Sequence, residues 1–192
     1  MPSGKEWNAR PSIVRPQKIG GLALYFCEKE DRTVFREMRR KGQQLGDADC
    51  AAVLDRGTSG VLALKGDDGY PYAVPVNYLY SDGAIYFHSA KTGHKTDAIL
   101  RSQKASFCVV DQDQVVPQEW TTYFRSVIIF GQVAPAGNEA EKRRVMEKLA
   151  LRYGTKADEM DQSAVNAVCV LKLSIAHMTG KEAIQLVKAG QA

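Results

Sequence analysis

The chain of 192 residues lacks the patterns that most directly name a chemistry. Its four cysteines, Cys27, Cys50, Cys108 and Cys169, are scattered, with neither a C-x-x-C pair nor the spacing of a small disulfide framework. That excludes a disulfide-built secreted module and predicts a reducing, cytoplasmic setting. Histidine is scarce, and no cysteine or carboxylate pattern near His88 and His94 completes a ligand set, so no metal site is expected. No apolar run approaches the ~20 residues of a membrane span. The short run Ile19–Cys27 carries Tyr25 and Phe26 where signal-peptide cleavage needs small residues. A GxGxxG fingerprint and a G-x-S-x-G elbow are both missing, which removes a Rossmann site and a serine-hydrolase nucleophile. The net charge is only +4, and Arg36, Arg39, Arg40 and Lys41 form too short a cluster for a nucleic-acid stripe. Neither nucleic acid nor a membrane is an expected partner.

What is present suits one domain with a sizeable core. Residues 1–33, broken by Pro2, Pro11 and Pro16, read as a loosely ordered extension in which only Leu22–Cys27 offers a short strand or turn of helix. Residues 34–192 read as the folded domain. A short helix is predicted over Thr33–Lys41, then a second with Asp47 as its N-cap, the stripe Cys50, Ala51, Val53, Leu54, and Gly57 as its stop. Strand signals follow at Gly60–Lys65, Tyr70–Ser81 and Ala84–Ser89, separated by the hairpin turns Gly66–Gly69 and Asp82-Gly83. Pro71 and Pro75 mark the second of these as an edge, a bulge or a bend. In the third, Ile85 and Phe87 point one way and Tyr86 and His88 the other.

A helix is predicted over His94–Arg101, a strand over Lys104–Val110, a loop through Pro117 and Trp120, and a long strand over Thr121–Val133 bent at Gly131. Asn138 with Glu141 opens a helix whose stripe is Val145, Met146, Leu149, Ala150 and Tyr153, ending at Gly154. Val168–Ile175 alternates as a last strand, and Thr179–Glu182 opens a final helix through Val187. Hairpin-linked strands cannot all run parallel. The expected fold is therefore mainly β with peripheral helices (α+β), an antiparallel barrel of about six strands whose closure removes sheet edges.

Three stretches can carry chemistry. Phe87-His88-Ser89-Ala90-Lys91-Thr92-Gly93-His94-Lys95 is a strand end, a glycine-containing loop and a helix start. A helix N-terminus favours anions, Ser89 and Thr92 add hydroxyls, and Lys95 adds a full charge. This is a phosphate site without a Walker motif, or else a polar solvated loop before a capped helix. Arg125, beside Ser126 in an otherwise apolar strand, needs a carboxylate or a phosphate, and an ion pair or a surface position explains it equally. In Tyr70–Tyr78, Pro75 removes a ladder donor between Val74 and Val76, which leaves backbone groups for a planar heterocycle or marks an ordinary edge strand.

Several segments, in this order, resemble the nitroimidazole-resistance (Nim) proteins of the pyridoxamine 5'-phosphate oxidase-like group: Phe35–Lys41, Gly66–Pro75, Ile85–Ala90, Gly93-His94-Lys95, Ser106–Val110, Phe124–Val127 and Thr179–Ala183. The resemblance runs from about residue 34 to the C-terminus. It implies an FMN-binding split barrel, a homodimer with two FMN sites at the subunit interface, and reduction of nitro-aromatic compounds such as 5-nitroimidazole antibiotics. It also implies cofactor contacts from Phe87, His88, Ser89, His94 and Lys95, from the strand holding Val74, Pro75 and Val76, and from Arg125 and Ser126. His88 is the candidate proton donor, or a residue that hydrogen-bonds or contacts phosphate. The arginine-rich motif of true pyridoxamine 5'-phosphate oxidases is not evident. The alternatives are another flavin oxidoreductase, a non-enzymatic flavin-binding module, or a haem protein with His88 as axial ligand. The family's chains begin near Val34, which leads to the expectation that translation starts there.

Overall fold

The computed structural model describes residues 15–19, 22–26, 35–154 and 162–190. The chain divides into two units, Met1–Glu37 and Met38–Ala192. In the first, β1 (Arg15–Ile19) and β2 (Leu22–Phe26) form an antiparallel hairpin in which Ile19 faces Leu22 and Arg15 faces Phe26. The rest of the expected extension, and with it Cys27, Thr33 and Val34, lies outside the described residues.

The helix expected over Thr33–Lys41 is absent from Phe35–Arg40, and only a 3-10 turn forms at Lys41–Gln43. Arg36, Arg39 and Arg40 at helical spacing would share one face, and like charges there repel. After the two-residue strand β3 (Gln44–Leu45), helix α1 spans Asp47–Arg56. Its N-cap is Gly46 rather than Asp47, so Asp47 and Asp49 lie in the first turn, where the helix dipole favours them. Gly57 does close the helix, donating its N–H to Val53 O at 3.0 Å. A Cβ at Gly57 would come within 2.6 Å of the Tyr78 hydroxyl. That buried hydroxyl donates to Leu54 O at 2.7 Å, so a close approach dictates glycine here.

The remaining strands are β4 (Ser59–Lys65), β5 (Pro71–Asn77), β6 (Leu79–Ser81), β7 (Ala84–Ala90), β8 (Lys104–Val116), β9 (Thr121–Pro135) and β10 (Val168–Glu182). They lie in the order β5-β4-β8-β9-β10-β7-β6, and β3 pairs with the end of β10 in the same 8-stranded sheet. Every pairing is antiparallel. Both predicted hairpin turns form, with Asp68 and Gly69 at φ 52 and 81 and Asp82 and Gly83 at φ 53 and 69. These left-handed values are the ones Asp and Gly tolerate best.

The expected split barrel is not what forms. The sheet is open, because among the described residues β5 and β6 at its two ends have no pairing with each other. Both ends suit an edge. Pro71 and Pro75 deprive β5 of two donors, and β6 is only 3 residues long. The correct description is a mixed fold of helices around one large, open antiparallel sheet.

Helices α2 (His94–Arg101), α3 (Glu139–Arg152), α4 (Gln162–Ala167) and α5 (Ile184–Ala189) complete the chain. The capping expectation at α3 holds, since Asn138 Oδ1 accepts from the Glu141 N–H at 2.8 Å while Glu141 Oε2 accepts from the Gly137 N–H at 2.9 Å. The final helix begins later than predicted. Thr179–Glu182 instead prolong β10, in register with Ile128–Arg125 of β9. The loop expected after Val110 is likewise strand, β8 continuing past a bulge to Val116 against Thr121. A long ladder between two neighbouring strands outweighs local turn signals in each.

One sheet face builds the core. Leu62, Phe107 and Ile129 align across β4, β8 and β9 and are fully buried, with Phe87 edge-on to Phe107 at 5.2 Å. The opposite face carries the in-register row Pro75, Val61, Cys108, Ile128 and Thr179. It leaves Val61, Val110, Ile128 and Phe130 exposed.

Candidate functional site

β7 delivers the phosphate-loop candidates by alternation. Phe87 points into the core with no exposed surface, His88 points outward and is exposed, and Ser89 is buried again. The chain then turns through Gly93 at φ 125, a conformation L side chains rarely adopt, into α2. No side chain caps this helix at its N-cap residue; instead Thr96 Oγ1 donates to Gly93 O at 2.7 Å. The N–H groups of the first turn are thus left to other partners.

Lys95 stands in that first turn, half-buried. No ion-pair partner reaches it among the described residues. Burial pushes its ammonium below the usual lysine range, and nearby Cys169 acts weakly the other way. A cation desolvated without a counter-charge is in an environment that an anion would improve. These features fit a phosphate group from a bound nucleotide.

His94 brings this loop to the third candidate stretch, Tyr70–Tyr78. Its ring stacks on Tyr72 with centroids 4.0 Å apart and planes 20° off parallel, and its Nε2 lies 3.4 Å from Asp67 Oδ2. Arg101 at the far end of α2 reaches the same carboxylate at 2.6 Å. Tyr72 belongs to β5, so the phosphate loop and the strand holding Val74, Pro75 and Val76 are neighbours although β7 and β5 are far apart in the sheet order. Val74 and Val76 pack against the core, and Pro75 is exposed on the opposite face. Neither Tyr72 nor Asp67 stands out in the sequence as a site residue; nothing in a Tyr-rich edge strand or a hairpin turn signals a distant histidine.

Arg125 is not brought into this group. Its Nε donates to Glu182 Oε2 at 3.0 Å and its Nη1 to Asp111 Oδ2 at 3.4 Å. Asp111 in turn accepts two bonds from Arg56, at 2.6 and 2.7 Å. Hydrogen bonding from Arg56, reinforced by Arg125, holds the Asp111 carboxyl below the usual carboxylate range. The ion pair named among the sequence explanations for Arg125 is present. Ser126, half-buried, lies opposite Val110 and Lys181 on the exposed sheet face. Among the described residues no cluster of histidine, cysteine and carboxylate side chains is fit to hold a metal ion. No described helix is long and apolar enough to cross a membrane.

The model of the family described as pyridoxamine 5'-phosphate oxidase matches residues 46–182. No curated protein matches the chain significantly. Among solved structures, a candidate 5-nitroimidazole antibiotic resistance protein from Bacteroides thetaiotaomicron aligns at 24% identity and TM-score 0.62, covering 72% of this chain and 86% of that one. A conserved hypothetical protein from Mycobacterium tuberculosis aligns at 19% identity and TM-score 0.67, covering 76% and 90%. A protein from Mycobacterium smegmatis described as binding FAD and haem aligns at 18% identity and TM-score 0.61, covering 77% and 80%. At these identities the likeness is one of fold. The family match runs from the N-cap of α1 to the last residue of β10 and so spans β4 to β10 of the large sheet and the β7–α2 loop: the chain belongs to the pyridoxamine 5'-phosphate oxidase family.

Proposed function

We propose that this protein is an FMN-dependent reductase of nitro-aromatic compounds such as 5-nitroimidazoles. The observation that carries the reading is Lys95, a desolvated ammonium without a carboxylate among the described residues, in the first turn of a helix that abuts β5. Membership in a family of flavin-using oxidoreductases and the likeness to the Bacteroides protein support it.

In this reading Ser89, Thr92, Lys95 and the first N–H groups of α2 hold the phosphate. His94, steadied by Tyr72 and Asp67, closes the loop over it. The backbone of Val74, Pro75 and Val76 borders the ring, and Phe87 supports the site from the core rather than touching the ligand. When bound, the flavin supplies the electron chemistry, and the protein binds and orients it. His88, exposed on β7, would deliver a proton to the nitro oxygen of a bound substrate.

The functional unit in this proposal is a homodimer. The exposed apolar row on the outer sheet face, Val61, Ile128 and their neighbours Val110 and Phe130, suits burial against a second copy. Pro75 and Ser126 share that face, so both would lie at the subunit boundary of such a dimer, where Ser126 would be placed to contribute to the cofactor site. Light scattering tests this: the wild type is expected at twice the chain mass and Ile128→Asp at one chain mass, and a monomeric wild type removes the interfacial site.

The decisive experiment is the visible spectrum of the purified protein with mass identification of any released chromophore. FMN is the expected result, followed by sustained turnover of a 5-nitroimidazole with a nicotinamide donor. Haem, or no chromophore after incubation with FMN, overturns the reading.

A further inference from the structure

We propose that the cavity between α2, α3 and the start of β10 binds a small, singly charged amphipathic anion, an organic carboxylate with a compact apolar body, beside the proposed flavin site on which this inference rests. The cavity holds about 440 Å³, a size typical of small-molecule sites. Ile99 of α2 and Val170 and Leu171 of β10 form its apolar lining and are buried. Leu100 also lines it yet is 81% exposed, an apolar side chain left at the rim.

The charges are what select the ligand. Lys91 and Lys142 line the cavity. The Lys142 side chain is only 13% exposed, but its carboxylate partner Glu139 stands 3.8 Å away and is itself 82% exposed. So loose and solvated a partner leaves the Lys142 ammonium open to a second carboxylate. A carboxylate entering the cavity supplies the missing charge while its apolar body covers Leu100. Glu139 also borders the cavity, so the two lysines leave room for one negative charge rather than several. A phosphate ester or a dinucleotide therefore fits worse than a monocarboxylate. Lys95 is not part of this lining, but Lys91 and Thr96 on either side of it are, so the cavity adjoins the proposed flavin site and competition with FMN tells the two apart.

Octanoate is the probe, titrated calorimetrically into the full chain as purified. Octanoate is expected to bind, with octylamine weaker by about tenfold or more, and Lys142→Gln to weaken octanoate by a similar factor. Leu100→Glu, at an exposed position, is expected to abolish binding without loss of fold by circular dichroism. Saturating octanoate is also expected to slow alkylation of Cys169, which lines the cavity, by N-ethylmaleimide, read by peptide mass spectrometry. Equal binding of octanoate and octylamine, no binding, or binding indifferent to both substitutions overturns the proposal. So does displacement of octanoate by FMN, since the cavity would then belong to the flavin. Unchanged FMN affinity in both variants keeps the two sites distinct.

Discussion

Arg125, in an otherwise apolar strand, and Lys95, at the start of a helix, are both anion-binding candidates in the sequence, and the fold treats them oppositely. Arg125 meets Glu182 and Asp111, and Asp111 also holds Arg56. The charge of that cluster is closed within the chain and ties α1, β8, β9 and β10 together. Lys95, at the start of α2, is half-buried and meets no carboxylate among the described residues. The first arrangement stabilises the fold, and the second leaves an electrostatic demand that a ligand can meet. A cation in an apolar setting is thus a ligand signal only where the tertiary structure withholds its counter-ion.

The largest expected effect comes from opening the closed cluster. Asp111→Ala strands Arg56 and leaves Arg125 with Glu182 alone, and is expected to cost about 2–3 kcal/mol in urea unfolding, toward the lower end for a pair broken in the interior because Arg56 is partly exposed. A loss below about 0.5 kcal/mol would put the cluster with ordinary surface pairs and erase the contrast. The same carboxylate sets a pH dependence. Its folded pKa lies below the unfolded value, so its contribution is complete above that value and disappears as pH falls through the folded pKa. Wild-type stability should therefore decline more steeply in acid than that of Asp111→Asn.

Lys95→Met is the counterpart at the open end. FMN affinity is expected to fall about tenfold or more, ~1.4 kcal/mol, by fluorescence titration. Stability without ligand should hold or rise, because the substitution removes a desolvated charge. The depressed Lys95 pKa has its own sign: the unfolded chain binds the proton more tightly, so stability rises with pH through that window in wild type and not in the variant. Loss of stability with unchanged FMN affinity would make Lys95 a structural residue.

A smaller effect sharpens the same contrast. Tyr72→Ala removes the stack under His94 and is expected to weaken FMN severalfold at a stability cost of about 1 kcal/mol. The smallest change in stability is expected for exposed His88→Ala, whose effect should instead be a loss of steady-state turnover of a 5-nitroimidazole. If turnover is retained in full and only FMN binding weakens, the proton-transfer role is wrong.

Much of the architecture was legible locally. The turns at Asp67–Gly69 and Asp82-Gly83, the edge position of the proline-bearing β5, the opposite orientations of Phe87 and His88, and the Asn138 cap all follow from short-range rules. What failed was non-local. The turn signals in Thr179–Glu182 yield to an extended ladder with β9, and the run after Val110 yields to the β8–β9 pairing. Barrel closure depends on whether the first and last strands of the sheet can pair, which no local pattern contains.

The site divides in the same way. Residue types and spacing alone identify the β7–α2 loop as an anion candidate, because a glycine turn, hydroxyls and a lysine at a helix start are local features. Alternation alone separates Phe87 from His88. Only the tertiary structure decides which cation is already neutralised, since Asp111, Glu182 and Arg56 lie far from Arg125 in sequence and meet it through strand pairing and the docking of α1. Only the tertiary structure joins His94 to Tyr72 and so sets the loop beside β5. Charge compensation and adjacency are sums over neighbours in space, and a chain's local pattern does not contain those neighbours.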